Sequence, residues 1–346
     1  MITLGQNFSV SQVLGLVMLT MVYTVNPVIA DTEVWSFRGG SGIAPENTIE
    51  GMNLAFDFGA SGTEIDLWHA GSNLGPSVTP EILIHHDRNV QRTTNGFGEI
   101  QDLTPEYLRS LDAGSLNGET RFPGAQIPTL DEALTVLRDR DKAVLLDIKT
   151  SPFGLPGTVP TAEVAAALDR ANLQSDNIYT WTSVPSLVQE YTNAIPNLQV
   201  IFRGNVDPNT IVWQDLIDQG YSGVLIRYDN QVGGGGEFNQ AFIDEIHANG
   251  LFVVLNGGTV ARFRQAVDFG VDIVMTHNVD GFTAVLAEAA PLLGDCNQDE
   301  KVDFLDISPF ISTLTTGDYL NEADIDRNET VDFLDIAPFI NLLSGD

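Results

Sequence analysis

The sequence predicts an α/β protein built on a parallel sheet, followed by a small all-α calcium-loop unit. Three observations carry this. From Val34 to about Thr276, short apolar runs alternate with amphipathic stretches, the pattern of repeated strand and helix. The 346 residues are enough for one large domain and something small beside it. Near the C-terminus a segment occurs twice, each copy with oxygen-bearing side chains at calcium-loop spacing.

Residues 1–30 carry an apolar core, Val13–Val25, bounded by Asn26-Pro27 and ending Val28-Ile29-Ala30. Such a run is short for a membrane span and matches a signal peptide cleaved after Ala30. Its amino end departs from that pattern, because no Lys or Arg precedes Arg38. The expectation is an exported protein, periplasmic or extracellular, with no membrane span in the mature chain. Strands are expected near Val34–Phe37, Gly62–Asp66, Ile82–His86, Ala143–Ile148, Ile178–Thr182, Gln199–Phe202, Gly223–Arg227, Phe252–Leu255 and Asp272–Thr276. Helices are expected over Thr48–Phe58, Leu130–Arg138, Ala162–Ala171, Ser186–Asn193, Asn239–Ala248 and Val260–Phe269.

The formal charge is −31, from 16 Lys and Arg against 47 Asp and Glu. That balance excludes nucleic acid as a partner held by charge attraction. It would also repel an anionic substrate, so a site for one needs locally concentrated positive charge, which a bound metal with Arg38 and Lys149 would supply. Most of the acidity reads as solubility. A single cysteine, Cys296, excludes an internal disulfide and leaves a free thiol or an intermolecular bridge.

Chemistry concentrates between Ser36 and Asp87. Glu64 and Asp66 lie two apart, so on a strand both side chains leave one face. A buried face does not tolerate two unpaired carboxylates, whereas a hard divalent cation needs oxygen ligands so placed. His86 ends the next apolar run and adds a proton donor or acceptor. Metal plus imidazole at strand ends reads as hydrolytic chemistry. His85 points opposite to His86 and reads as packing, and His69 and His247 read as surface residues.

The order Arg38-Gly39, Ser41-Gly42, Ala44-Pro45-Glu46-Asn47-Thr48, then Glu64-Ile65-Asp66, then His86-Asp87 and Arg92-Thr93-Thr94-Asn95-Gly96 resembles the glycerophosphodiester phosphodiesterase family. The likeness continues through Ile127–Glu132 and Leu146-Asp147-Ile148-Lys149, and covers about residues 34–288 of an expected barrel domain at 31–288. It implies a (β/α)₈ TIM barrel, with one of the nine strand candidates set aside as a hairpin arm. It implies hydrolysis of a glycerophosphodiester to an alcohol and glycerol 3-phosphate, with one divalent metal, Mg²⁺ or Ca²⁺. On the matching positions, Glu64, Asp66 and Asp147 are the metal ligands and His86 the proton donor. Arg38, Lys149 and Glu46 would contact substrate phosphate or the metal shell. The family's usual ligand at Asp147 is Glu, one methylene longer.

Phe37 is the departure that bears most on activity. The family has a histidine there, and general acid–base assistance is worth on the order of 10²–10⁴ in rate. A second departure lies on the last strand, where His277 replaces an expected Asp. The last strand of a closed barrel neighbours the first, which would put His277 beside Phe37. Two readings stay open: His277 returns the missing imidazole as a catalytic residue, or both positions drifted after activity was lost. A barrel that binds a phosphodiester without cleaving it is thus the alternative to a hydrolase.

The repeat runs from Gly294 to Asp346, after a short linker at 289–293. Positions 1, 3, 5, 9 and 12 of the first loop are Asp295, Asn297, Asp299, Asp303 and Asp306. Those of the second are Asp324, Asp326, Asn328, Asp332 and Asp335. Two such loops, each followed by an apolar helical run, resemble a dockerin domain, which implies two Ca²⁺ and a protein partner that anchors the chain. Position 6 is Glu300 and Glu329 where a glycine eases the turn, which lowers the expected calcium affinity. Phe304-Leu305 and Phe333-Leu334 replace the small polar recognition residues of cellulosomal dockerins; they either pack the unit's own core or meet an apolar partner surface.

Overall fold

The computed structural model describes residues 32–116, 119–149, 159–173, 177–207, 210–227, 238–257, 259–289, 294–297, 301–316, 320–325 and 330–344. The signal-peptide expectation, most of the linker, and Asp299, Asp326 and Asn328 of the calcium loops fall outside these residues.

Eight parallel strands close on themselves: β1 (Glu33–Ser36), β2 (Gly62–Ala70), β6 (Ala143–Ile148), β7 (Ile178–Thr182), β8 (Gln199–Phe202), β9 (Gly223–Arg227), β10 (Phe252–Asn256) and β11 (Ile273–Thr276). β1 pairs with β11 on one side and β2 on the other, which shuts the barrel. The ninth candidate, β3 (Glu81–Ile84), is the hairpin arm. It runs antiparallel to the far end of β2, Leu67–Ala70, which overlaps the stretch of β2 that pairs with β6 only at Leu67. A further hairpin, β4 (Ser115–Leu116) and β5 (Glu119–Thr120), decorates the segment before the next helix.

The helices cover the outside: α1 (Ile49–Asp57), α2 (Pro105–Arg109), α3 (Leu130–Arg140), α4 (Thr161–Ala171), α5 (Pro185–Ala194), α6 (Trp213–Asp218), α7 (Gln240–Ala248), α8 (Val260–Asp268) and α9 (Val279–Ala289). Several begin where a side chain satisfies the orphan amides of the first turn. Thr48 caps α1, and Thr129 with Glu132 forms a reciprocal capping box on α3. Strand alternation divides the apolar residues into two cores. Val34, Ile65, Val144, Leu146, Val200 and Val224 face the helices, while Trp35, Leu145, Trp181, Ile201, Leu225 and Met275 fill the barrel. Gly62 makes room for this filling, since a Cβ there would lie 2.7 Å from the Trp35 ring.

His69 corrects an expectation. It lies on the long strand β2 and is buried, 3.4 Å from Glu163 of α4, rather than on the surface. His247 is exposed, as expected, and bonded to Asp272.

The C-terminal unit has its own core of Cys296, Phe310, Ala323 and Phe339, with the two phenylalanine rings stacked at 4.0 Å. These rings come from α10 (Ile307–Thr316) and α11 (Ile336–Ser344), the equivalent helices of the two repeats. Phe304, Leu305, Phe333 and Leu334 take no part in that core: they are 76, 66, 83 and 65 % exposed, which removes the self-packing reading. Cys296 is a buried thiol, pushed up to about 12 by burial and then by the carboxylates around it. Burial and the raised pKa both disfavour the thiolate that an intermolecular bridge would require.

Candidate functional site

The parity that fills the barrel also aims the functional residues. Inward positions run 35, 37 on β1 and its extension, 62, 64, 66 on β2, and 143, 145, 147 on β6, with Asp66 in register with Asp147. At the same end of the barrel, the residues after β8 and β11 are Arg203 and His277. Strand carboxyl ends therefore gather carboxylates, an imidazole and cations at one mouth, as barrels of this class do.

Glu64, Asp66 and Asp147 are all buried, and their nearest oxygens lie within 4.8 Å of one another. Burial, then the charges of Asp66 and Asp147, push the Glu64 carboxyl well above the usual carboxylate range, against a smaller opposing pull from Lys149. Asp147 goes the other way: burial would raise it, but Lys149 and Arg203 outweigh burial and hold it low. Lys149 bonds Asp147 and lies 2.6 Å from Asp66 Oδ1; burial would lower its pKa, but the two carboxylates outweigh that and raise it. Three buried carboxylates against this much positive charge still leave Glu64 disfavoured as an anion. An all-oxygen set this compact fits a hard divalent cation.

Backbone geometry around the triad is strained. Arg38 and Asn47 both take left-handed angles, with φ of 49° and 55°, uncommon for residues with a side chain. The twist lets the Arg38 amide donate to Glu64 Oε2 at 2.9 Å, while the Asn47 amide donates to the Arg38 carbonyl at 2.7 Å. Asn47 Nδ2 then donates to Asp66 Oδ2 at 2.8 Å. Asn47 is thus the residue of the Pro-Glu-Asn segment that reaches the carboxylates. Glu46 turns away from them, to Arg92 at 2.6 Å and Arg38 at 3.5 Å.

His86 lies next to Arg38, whose Nη2 is 2.7 Å from its Nε2; its Nδ1 is 2.7 Å from Asp87 Oδ1. Arg92 bridges Asp87 and Glu46, so the loop after β3 is tied to the loop after β1. Burial would raise the Asp87 carboxyl, but bonds from Arg92 and His86 outweigh it and hold it far below its ordinary value. His85 is buried and bonded to Thr93 and to the Asp87 carbonyl, the packing role expected of it. On the far side, His277 meets Phe37 edge to face at 4.9 Å, and its Nδ1 is 2.6 Å from Ser41 Oγ.

Arg203 carries no sequence motif: it stands 3.4 Å from Asp147 with its guanidinium 4.3 Å over the Trp181 ring. Ser41 belongs to the Arg-Gly-x-Ser-Gly segment, but its contact with His277 is not legible there. Strand parity is the signal that finds Arg203, one residue past the end of β8 on the inward count.

In the C-terminal unit the position-12 carboxylates are fully buried and doubly held. Asp306 accepts from the amides of Asn297 and Asp303, and Asp335 from those of Ile325 and Asp332. Asp303 and Asp332 each accept from the amide two residues on. The described parts of the two loops share the contacts at position 9, while the amide from the start of the loop comes from position 3 in the first, Asn297, and position 2 in the second, Ile325.

Residues 38–281 match the glycerophosphoryl diester phosphodiesterase family, and residues 293–344 match the dockerin type I domain. A glycerophosphodiester phosphodiesterase of Caldanaerobacter subterraneus is 38 % identical over 128 residues, 36 % of this chain and 49 % of that protein. The chain thus spans about half the length of that relative, whereas it covers 93 % of YhdW of Bacillus subtilis, at 31 % identity over 70 % of this chain. Among solved structures, a phosphodiesterase of Oleispira antarctica in complex with the product sn-glycerol 3-phosphate is similar, with TM-score 0.60 and 25 % identity. That match covers 74 % of this chain and 96 % of that one. A glycerophosphodiester phosphodiesterase of Agrobacterium tumefaciens shares the fold with TM-score 0.58 and 24 % identity, covering 73 % and 99 %. With its barrel matched from Arg38 to Gly281, the chain belongs to the glycerophosphoryl diester phosphodiesterase family.

Proposed function

We propose that the barrel hydrolyses a glycerophosphodiester to an alcohol and glycerol 3-phosphate in a divalent-metal-dependent reaction. The observation that carries this reading is the buried triad Glu64, Asp66 and Asp147 standing beside the Arg38–His86 pair. Glu64, Asp66 and Asp147 would hold the ion, Mg²⁺ or Ca²⁺. When bound, it supplies Lewis-acid polarisation of the phosphoryl oxygens.

The chain's own groups do the rest. Among the described residues, Nε of Arg38 is buried with no hydrogen-bond partner, a donor that a phosphoryl oxygen would satisfy. Lys149 adds a second fixed positive charge at the triad, where charge develops on the phosphoryl oxygens. His86, backed by the carboxylate of Asp87, gives a proton to the departing alkoxide. The test is turnover of glycerophosphocholine by the full chain with Mg²⁺ or Ca²⁺ and with EDTA. Release of glycerol 3-phosphate that EDTA and His86→Ala both abolish supports the reading; metal-independent release sinks it.

Phe37 favours a second reading, in which the barrel binds a phosphodiester without cleaving it. Its ring stands at the mouth against His277, where it can transfer no proton. Binding of glycerophosphocholine without turnover would select this reading.

The C-terminal unit is inferred to bind two Ca²⁺ through Asp295, Asn297, Asp299, Asp303 and Asp306 and through Asp324, Asp326, Asn328, Asp332 and Asp335. Its exposed Phe304, Leu305, Phe333 and Leu334 support an apolar protein partner, which would anchor an exported chain. Calcium-dependent retention on that partner is the matching test.

A further inference from the structure

Resting on the hydrolase reading, we propose that His277 is the general base of the reaction, delivered to the barrel mouth by the strand next to Phe37. The hydrogen-bond chain around it assigns the tautomer. Ser41 Oγ donates its single proton to the Phe37 carbonyl at 2.8 Å. At the 2.6 Å contact with His277 Nδ1 the hydroxyl must therefore accept, so Nδ1 carries the imidazole proton. In the neutral ring this leaves Nε2 with its lone pair, the state a base needs.

The imidazole is also held in place. Gly42, next to Ser41, packs on the backbone of His277 so closely that a Cβ would lie 1.6 Å from the His277 carbonyl oxygen. Phe37 meets the ring edge to face, so the same turn touches His277 through its backbone, a hydroxyl and a ring. Burial, then the positive charge of Arg38, keep the ring below its usual pKa, against a smaller pull from Glu46. The ring is nonetheless on an exposed residue at the mouth.

His86 is built for the opposite role. Its Nδ1 faces a carboxylate, and its Nε2 faces Arg38, which can only donate. A phosphoryl oxygen that engages Arg38 frees Nε2, and Asp87 then supports the protonated ring. In the proposed step, water gives one proton to Nε2 of His277 as its oxygen bonds to phosphorus. The P–O bond to the alcohol breaks, and His86 delivers a proton to that oxygen. One water is consumed, and solvent exchange returns both imidazoles to their starting states.

The test compares the full chain, His277→Ala, His277→Gln and His86→Ala in Mg²⁺ on two substrates. Glycerophosphocholine has a poor leaving group, and bis(p-nitrophenyl) phosphate has one that needs no proton. Both His277 variants are expected to lose about 10²–10⁴ in kcat on both substrates, with added imidazole restoring part of it in His277→Ala. His86→Ala is expected to lose as much on the first substrate and little on the second. Retention of activity by His277→Ala within about threefold overturns the proposal and leaves the hydrolase reading standing. So does a His277→Ala defect that vanishes with the activated substrate, which would make His277 an acid. A chain with no turnover of either substrate overturns both. Unchanged melting of His277→Gln separates lost chemistry from lost fold.

Discussion

Arg38 Nη2 donates to His86 Nε2 across 2.7 Å, so the cation proposed to bind phosphate and the imidazole proposed to transfer a proton hold each other at the barrel mouth. On that proposal, a phosphodiester must take Arg38 from His86 before His86 can act. The guanidinium fork serves two partners at once, since Nη1 also lies 3.5 Å from Glu46. Arg38→Lys keeps the charge and loses the fork. Hydrogen bonds to charged groups are worth about 1.5–3 kcal/mol, so kcat/KM of Arg38→Lys is expected to fall by about 10–150-fold. Steady-state kinetics on glycerophosphocholine checks this, and an unchanged kcat/KM contradicts it.

Asn47 holds Asp66 through a 2.8 Å hydrogen bond from a strained backbone position. Outer partners of metal ligands typically contribute 10–100-fold to affinity, so Asn47→Ala is expected to weaken metal binding by about that factor. Calorimetric titration of the metal into wild type and variant measures it directly. Equal affinities would mean that Asp66 needs no orienting partner.

Arg92 links Glu46 and Asp87, and both carboxyls lie below their ordinary pKa. In each case burial alone would raise the group, and Arg92 outweighs it together with Arg38 and His86 at Glu46 and with His86 at Asp87. A carboxyl lowered by folding contributes stability above its unfolded pKa and loses it as pH falls through the folded value. The melting temperature is therefore expected to fall below about pH 4, where the unfolded carboxyls begin to protonate. Arg92→Ala should melt lower than wild type at neutral pH, with the gap narrowing toward acid. A gap that stays constant with pH contradicts the assignment.

The calcium loops predict a different dependence. At about 100 times its Kd, a ligand bound only by the folded state adds about 2.7 kcal/mol to stability. Calcium should raise the melting of the C-terminal unit, and Asp306→Ala or Asp335→Ala should each remove part of that gain. Melting in calcium and in EDTA reads both effects.

Much of this was legible in the sequence because strands carry a period of two and catalytic residues sit where strands end. The expected strand over Ala143–Ile148 agrees residue for residue, and Glu64 with Asp66 is legible as a same-face pair, whereas Asp147 joins them only through the family resemblance. Three things were hidden. Ile82–His86 reads like every barrel strand, and only its antiparallel pairing with the overlong β2 makes it a hairpin arm. His69 seemed a surface residue because β2 was expected to stop at Asp66, before the stretch that α4 covers. Arg203 joins the site through barrel closure, which brings β8 and β6 to the same mouth although their residues lie 56 apart in sequence.

The central claim is that the buried triad and the Arg38–His86 pair make one hydrolytic centre. Phosphorus NMR of glycerophosphocholine incubated with the full chain in Mg²⁺ tests it most directly, alongside Asp66→Asn. We expect the diester signal to give way to glycerol 3-phosphate with wild type, and to persist with Asp66→Asn or with EDTA. Conversion at the wild-type rate by Asp66→Asn would contradict the claim.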